Sequence, residues 1–290
     1  MKEFLNNLFS TRRMAFWLNL LGLSLAFVVF YVLMAEVKWV HGFDRFHDGA
    51  ERICRVDSKG PYACQYNGPM GYTIMESCKE AVEGAVYFRA GGQWIPSQYE
   101  ILDSDTTQES KSISVPIRDV TKDLPKVFTF DMVEGNIEDF ETLDADFFPL
   151  SICQKLFGME GPYVGRTFSF WKKGGYTRRV SGVYRDFPTN SILGNHIYHS
   201  MNEEEYERFL LRNSSEWSST VYVKVREGLS KEMVASMITD KIQELTQDST
   251  TQFHLQTIHD IYFMPQEDIG KQGSRYMTWL YFLIAWLIVA

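Results

Sequence analysis

Residues Met14–Ala35 read MAFWLNLLGLSLAFVVFYVLMA, a run without a charged side chain. Its length of about 22 residues matches the roughly 20 that an α-helix needs to cross a hydrocarbon core about 30 Å thick. Lipid offers the backbone no hydrogen-bond partner, so a segment this apolar is stable there as a helix. A cleaved signal peptide has an apolar core of only about 7–15 residues and a small-residue cleavage site. Here Glu36-Val37-Lys38-Trp39 follows directly, with no Ala-x-Ala. Residues 14–37 are therefore expected to form a retained transmembrane helix.

The flanks set an orientation. Lys2, Arg12 and Arg13 precede the run against one acid, Glu3. Positive flanks stay cytoplasmic, so the chain is expected to cross outward. Within residues 1–13, Phe4, Leu5, Leu8 and Phe9 recur at helical spacing. That suits either a short interfacial helix on the inner leaflet or the first turns of the span. Residues 276–290 form a second uncharged run, which as a helix reaches about 22 Å. Tyr276, Trp279 and Tyr281 stand where an aromatic belt belongs. This run reads as the start of a second transmembrane helix, and the sequence as the N-terminal part of a longer membrane protein.

The 290 residues carry a net charge of −8, and because residues 1–13 are net basic, the acid excess falls on the outer region. Nucleic-acid binding needs a basic face to release phosphate counterions, and is excluded. Between the two apolar runs, residues 38–275 are long enough to bury a substantial core. Alternating or β-branched stretches predict strands at Ile53–Asp57, Ala85–Arg89, Ser112–Val120, Thr177–Tyr184, Thr220–Arg226 and Gln252–Ile258. Helical patterns lie at Gly71–Val82, Pro149–Phe157, Glu203–Arg212 and Lys231–Thr246. In the last, Met233, Met237, Ile238, Ile242 and Leu245 form one stripe, with Ser230 as its N-cap. Thr220–Ile258 thus reads strand–helix–strand, and the expected class is α+β with helices on one face of the sheet. Ser97–Ser112, polar and turn-rich, is expected to be an exposed loop or hairpin in an inserted lobe.

Motifs for catalysis are missing from the sequence. It holds no G-x-x-x-x-G-K-[ST], no H-E-x-x-H and no G-x-S-x-G, and Gly270-Lys-Gln-Gly273-Ser lacks phosphate-loop spacing. His196 and His199 could share a metal on a helix, but Asn195–Ser200 reads as a strand, which points them apart. Asp139, Glu141, Asp144 and Asp146 read as a solvated acidic face. Cys54, Cys64, Cys78 and Cys153 show no metal spacing. Cys54 and Cys153 read as buried thiols, and Cys64 with Cys78 is the preferred pair if a disulfide forms. No catalytic, cofactor-binding or metal-ligating residue is nominated.

Several blocks carry a resemblance. Asp44–Val56 (DRFHDGAERICRV) stands directly after the first span; Phe128–Gly135 reads FTFDMVEG; Leu150–Gly158 reads LSICQKLFG; Gly165-Arg166-Thr167 precedes Val180–Ser191 (VSGVYRDFPTNS); and Leu255–Tyr262 reads LQTIHDIY. In this order they resemble MacB/FtsX-like ABC transporter permeases, whose periplasmic core domain lies between the first and second transmembrane helices. Cys54 replaces the aromatic residue usual in the first block. Locally, Gly158 is expected to end a helix in the αL conformation. Asp186–Asn190 is expected to be a turn closing a strand. Phe43, Phe46, Ile53 and Val56 are expected to pack a membrane-proximal stalk, with Asp44 and Arg45 at its surface.

The resemblance implies an inner-membrane permease subunit without catalytic activity or cofactor, its N-terminus cytoplasmic. The core domain would be periplasmic, with porter-like strand–helix–strand units plus an inserted lobe. A separate ABC ATPase would drive it, a homodimer or paired permease and a periplasmic adaptor would assemble with it, and the substrate would be amphiphilic. On physics alone, a membrane-anchored sensor ectodomain has the same outline, whereas a tethered hydrolase requires a convergent polar pocket that the sequence does not display.

Overall fold

The computed structural model describes residues 2–58, 64–88, 97–104, 112–142, 144–170, 177–201, 219–261 and 281. Helix α1 spans Lys2–His41 without a break. Within it Arg13–His41 has a mean hydropathy of 2.3 in its most apolar window, none of which the rest of the protein buries. The Ser24 hydroxyl donates back to the Leu20 carbonyl at 2.7 Å, so the polar atom is satisfied inside the apolar run.

After a turn the chain forms β1 (Ile53–Ser58), α2 (Gly68–Cys78) and β2 (Val82–Phe88). An inserted lobe follows with β3 (Ser97–Asp103), β4 (Ile113–Val120), α3 (Leu124–Val127), β5 (Met132–Glu134) and β6 (Asp146–Pro149). It continues through α4 (Leu150–Phe157), β7 (Thr167–Phe170), β8 (Thr177–Tyr184) and β9 (Ile197–Ser200). The chain returns as β10 (Thr220–Val225), α5 (Lys231–Thr246), β11 (Phe253–Thr257) and α6 (Ile258–Ile261).

The first and last parts share one sheet in the order β11-β1-β10-β2, antiparallel throughout. The β1–α2–β2 and β10–α5–β11 units interleave as a split β-α-β arrangement of the ferredoxin-like kind. Side chains alternate across the sheet. Cys54, Val56, Tyr87, Val221, Val223 and Val225 face α2 and α5, where Ile74, Cys78, Val234, Ile238 and Ile242 complete a core. Both helices begin on a side-chain cap: Asn67 accepts from the Met70 amide at 2.9 Å and Ser230 from the Met233 amide at 3.2 Å. Ile53, Val86, Phe88 and Tyr222 point the other way, into a second core shared with Phe128, Phe147, Tyr184, Phe187 and Tyr198 of the insert. The helices do lie on one face, and the insert covers the other. Cover on both faces leaves β1 and β10 buried almost throughout, the Arg55 and Asp57 side chains pairing with each other.

The insert closes on itself. Its strands run β4-β3-β7-β8-β6-β9, and β9 pairs back onto β4, parallel, from Ile117↔Ile197 to Val120↔Ser200. Closure leaves these six strands no free edge. Ile101, Val115, Ile117, Phe148, Phe168, Val180 and Ile197 fill it together with Ile152 and Cys153 of α4. Among the described residues a single strand pair, Phe88↔Val120, joins the two sheets.

Several expectations change. Of the loop and the hairpin expected at Ser97–Ser112, the hairpin holds, since Ser97–Asp103 is a strand paired antiparallel with β4, but Ile101 and Asp103 are buried rather than exposed. Gly158 ends α4 at φ 96, ψ 176, an extended glycine geometry rather than αL. Val56 belongs to the sheet core, not to a stalk. Asp146, expected on a solvated face, is buried because its carboxylate meets His199 Nδ1 at 3.1 Å. Cys64 and Cys78 are free, buried thiols. The expected helix at Glu203–Arg212 and, apart from Tyr281, the second apolar run lie outside the described residues.

Candidate functional site

The last turn of α1 delivers Trp39, the buried Val40 and His41 to a turn at Gly42–Gly49. Gly42 keeps the final helical bond, to the Lys38 carbonyl at 3.0 Å. A Cβ at Gly42 would stand 3.2 Å from Asn190 Nδ2, so glycine permits the close approach of the loop after β8. That loop and the helix end exchange bonds. Asn190 Nδ2 donates to the Trp39 carbonyl at 2.9 Å, and Trp39 Nε1 donates to Thr189 Oγ1 at 3.3 Å.

Asp44 is the centre of the turn. It is fully buried at φ 54, a conformation that Asp tolerates better than most residues. Its amide donates to the Asn190 carbonyl at 3.0 Å. Its carboxylate accepts the Ser191 hydroxyl at 2.6 Å and the Ile192 amide at 2.9 Å. His47 Nε2 lies 3.6 Å from the same carboxylate. On its other side His47 Nδ1 accepts the Thr129 amide at 3.2 Å, which puts the ring proton on Nε2, facing Asp44. Phe128 and Phe187 enclose the ring. The sequence placed Asp44 at the surface; the structure makes it the interior cap of a loop that no local pattern links to it. Phe46, expected to pack the stalk, is instead 40% exposed.

The same turn also meets α6, late in the sequence. His259 on α6 bonds through Nδ1 to the Phe43 carbonyl at 3.2 Å, and Arg45 Nη2 lies 3.5 Å from His259 Nε2. His41 Nδ1 bonds the Val37 carbonyl, leaving Nε2 to accept the Tyr281 hydroxyl at 3.3 Å. Tyr281 belongs to the second apolar run. Above the turn, Lys224 stands 3.5 Å from Asp48 and 3.6 Å from Glu83. Arg52 binds Glu83 and the Val225 carbonyl, and its guanidinium is held above its ordinary value chiefly by the Glu83 hydrogen bond.

The residues weighed for chemistry do not converge. His196 accepts from Arg118 Nε at 3.0 Å, and burial, aided by that charge, pushes it down to about 3. His199 faces Asp146 instead. Among the described residues no group of three or more His, Cys, Asp or Glu is placed to hold a metal ion. Burial pushes the Cys54, Cys78 and Cys153 thiols up to about 12, so they stay protonated and unreactive. Burial opposes the charge of Arg55, yet the Asp57 carboxylate, held at 2.6 and 2.7 Å, keeps the guanidinium above its ordinary value.

The model of the MacB-like periplasmic core domain matches residues 16–241, from within α1 to within α5. The chain belongs to that family. A solved domain of a permease protein from Porphyromonas gingivalis superposes on this core domain with a TM-score of 0.55 at 18% identity, covering 73% of this chain and 92% of that one. The periplasmic region of MacB from Actinobacillus actinomycetemcomitans gives 0.48 at 13% identity, covering 73% and 91%. The extracellular domain of the noncanonic ABC-type transporter YknZ from Gram-positive bacteria gives 0.44 at 11% identity, covering 69% and 98%. No curated protein matches. The MacB-like core domain therefore follows an apolar, membrane-anchoring helix and is a component of a transporter permease.

Proposed function

We propose that this chain is part of a non-catalytic permease subunit of a MacB/FtsX-type ABC transporter. A separate ATPase polypeptide supplies the energy in the cytoplasm, and movement of the anchoring helices changes the shape of the periplasmic domain to export or extract an amphiphilic substrate. The N-terminus is cytoplasmic, the membrane is the inner membrane, and residues 38–275 are periplasmic. Two permease chains work together, with a periplasmic adaptor as a further partner. One observation carries this reading: the Gly42–Gly49 turn is bonded at once to α1, to the loop after β8 in the insert, and to α6, which precedes the second apolar run in the sequence. Movement of either membrane segment would thus pull on both lobes. Affinity purification of the full-length protein from membranes tests it. Co-purification of an ABC ATPase is expected, and recovery of a histidine kinase or cyclase in its place would overturn the transporter reading in favour of a sensor.

A further inference from the structure

The charge-free part of α1 ends at Ala35, and the helix continues to His41. Six further residues raise the chain by about 9 Å. The polar layer outside the hydrocarbon core is roughly 5–8 Å deep on each side. The turn after α1 therefore starts at the outer edge of the lipid headgroups.

Two cation–aromatic pairs point outward there. Lys38 precedes Trp39, and Arg45 precedes Phe46; Trp39 is 37% exposed and Phe46 40% exposed. Both rings are held in place. Trp39 is tied by its indole N–H to Thr189, and Phe46 lies 4.0 Å from the His47 ring and 5.9 Å from Phe187. Among the described residues no carboxylate reaches ion-pair distance of Lys38 or Arg45. Of the acids of the same segment, Asp48 pairs with Lys224 and Glu51 with Arg52, and Glu36 stands on α1 before Lys38. Lys38, Trp39, Arg45 and Phe46 are thus exposed at the bilayer end, Arg45 lying beside the His259 ring rather than beside an acid. That arrangement complements anionic lipid, and aromatic rings favour this interfacial depth.

We propose that the Arg45–Phe46 turn, with Lys38 and Trp39, is a docking surface for the adjacent leaflet. Phe46 enters the headgroup layer, and Arg45 and Lys38 bind the phosphates of anionic phospholipid. The inference rests on α1 crossing the bilayer and not on the transporter reading, so the two fail separately. The test uses the full chain in proteoliposomes carrying Phe46→Cys labelled with bimane, a small apolar fluorophore. The four native cysteines are buried and free, so the new thiol is addressed selectively. Ser249→Cys, exposed beyond α5 at the far end of the domain, is the control. In vesicles of phosphatidylethanolamine and phosphatidylglycerol, a shallow doxyl lipid is expected to quench the label at 46 at least about two-fold more than the label at 249, with iodide doing the reverse. Adding Arg45→Glu is expected to cut the lipid quenching about two-fold, and pure phosphatidylcholine vesicles to do the same. Iodide quenching at 46 equal to that at 249, with no lipid quenching, overturns the docking. Lipid quenching unchanged by Arg45→Glu and by lipid charge overturns the phosphate contact.

Discussion

The Ser191 hydroxyl donates to the Asp44 carboxylate at 2.6 Å although 147 residues separate the two in sequence. The first residues beyond the anchoring helix are thereby fixed to a loop of the inserted lobe as well as to their own neighbours. The Ile192 amide joins at 2.9 Å, so one fully buried carboxylate is satisfied by two part-buried donors. A buried donor stripped of its partner costs about 1–3 kcal/mol, far more than a surface bond yields.

Asp44→Ala is accordingly expected to destabilise the domain by about 2–4 kcal/mol, since it removes both acceptors and places a Cβ-bearing residue without a polar side chain at positive φ. For a domain of this size each kcal/mol lowers the melting temperature by about 2–4 °C. Asp44→Asn keeps one carbonyl oxygen and tolerates the backbone, so it should lose less than half as much. Asp44→Gly relieves the backbone alone and should stay close to Ala. Calorimetry on the three variants checks this order, and three near-neutral substitutions would mean that the carboxylate is solvated.

Elements with a strong period were legible in the sequence. Thr177–Tyr184 and Lys231–Thr246 form over the expected residues, and Ser230 caps the helix as expected. β6 and β7 are four-residue strands, DFFP and TFSF, too short to display a period. β3 hides its alternation of Tyr99 and Ile101 among polar residues and forms because β4 lies beside it. The junction was legible only in halves. Asp44–Val56 and Val180–Ser191 each stood out as a block, but the contact between them is a long-range fact. Asp44 beside Arg45 looks like surface because burial depends on a partner that no local pattern names.

Gly71→Ala sets helix propensity against packing. Alanine in a helix interior gains about 1 kcal/mol over glycine. The added Cβ would lie 2.3 Å from Tyr87 Cε2 and 2.7 Å from Cδ2. Tyr87 has little freedom to yield, being buried with its hydroxyl bonded to Ser219 Oγ. Overpacking of this kind costs about 1–3 kcal/mol, so a net loss is expected. Urea unfolding of the variant would show it as a lower midpoint at unchanged slope, and a raised midpoint would mean that the ring moves aside.

The pH dependence of stability should carry a signature of His196. Burial and Arg118 lower its folded value from 6.5 to about 3. Between those values the unfolded chain binds a proton that the folded chain refuses, so stability falls as pH drops from about 6.5 toward 3, by at most about 1.4 kcal/mol per unit. Above pH 7 the histidine contributes no slope. His196→Gln keeps an acceptor for Arg118 and cannot titrate, so its stability should decline less steeply across that window while matching the parent near neutrality. Parallel curves for the two proteins would place His196 in water.

Transmission through the junction requires its bonds to yield together. His47→Ala removes only the acceptor of the Thr129 amide, whereas the Ile192 amide is held by Asp44. His47 Nε2 faces that same carboxylate at 3.6 Å, so the two acceptors, in contact and both buried, would act together as a hinge pin. In His47→Ala, hydrogen exchange of the full chain in nanodiscs should accelerate at both amides by at least about tenfold, which corresponds to roughly 1.4 kcal/mol of lost protection. Val223, paired with Cys54 in the core sheet, should keep its rate. Acceleration at Thr129 alone would make the junction a set of independent contacts. Such a set absorbs the motion of a helix locally, and the proposal that α1 moves the periplasmic domain through Asp44 would fail with it.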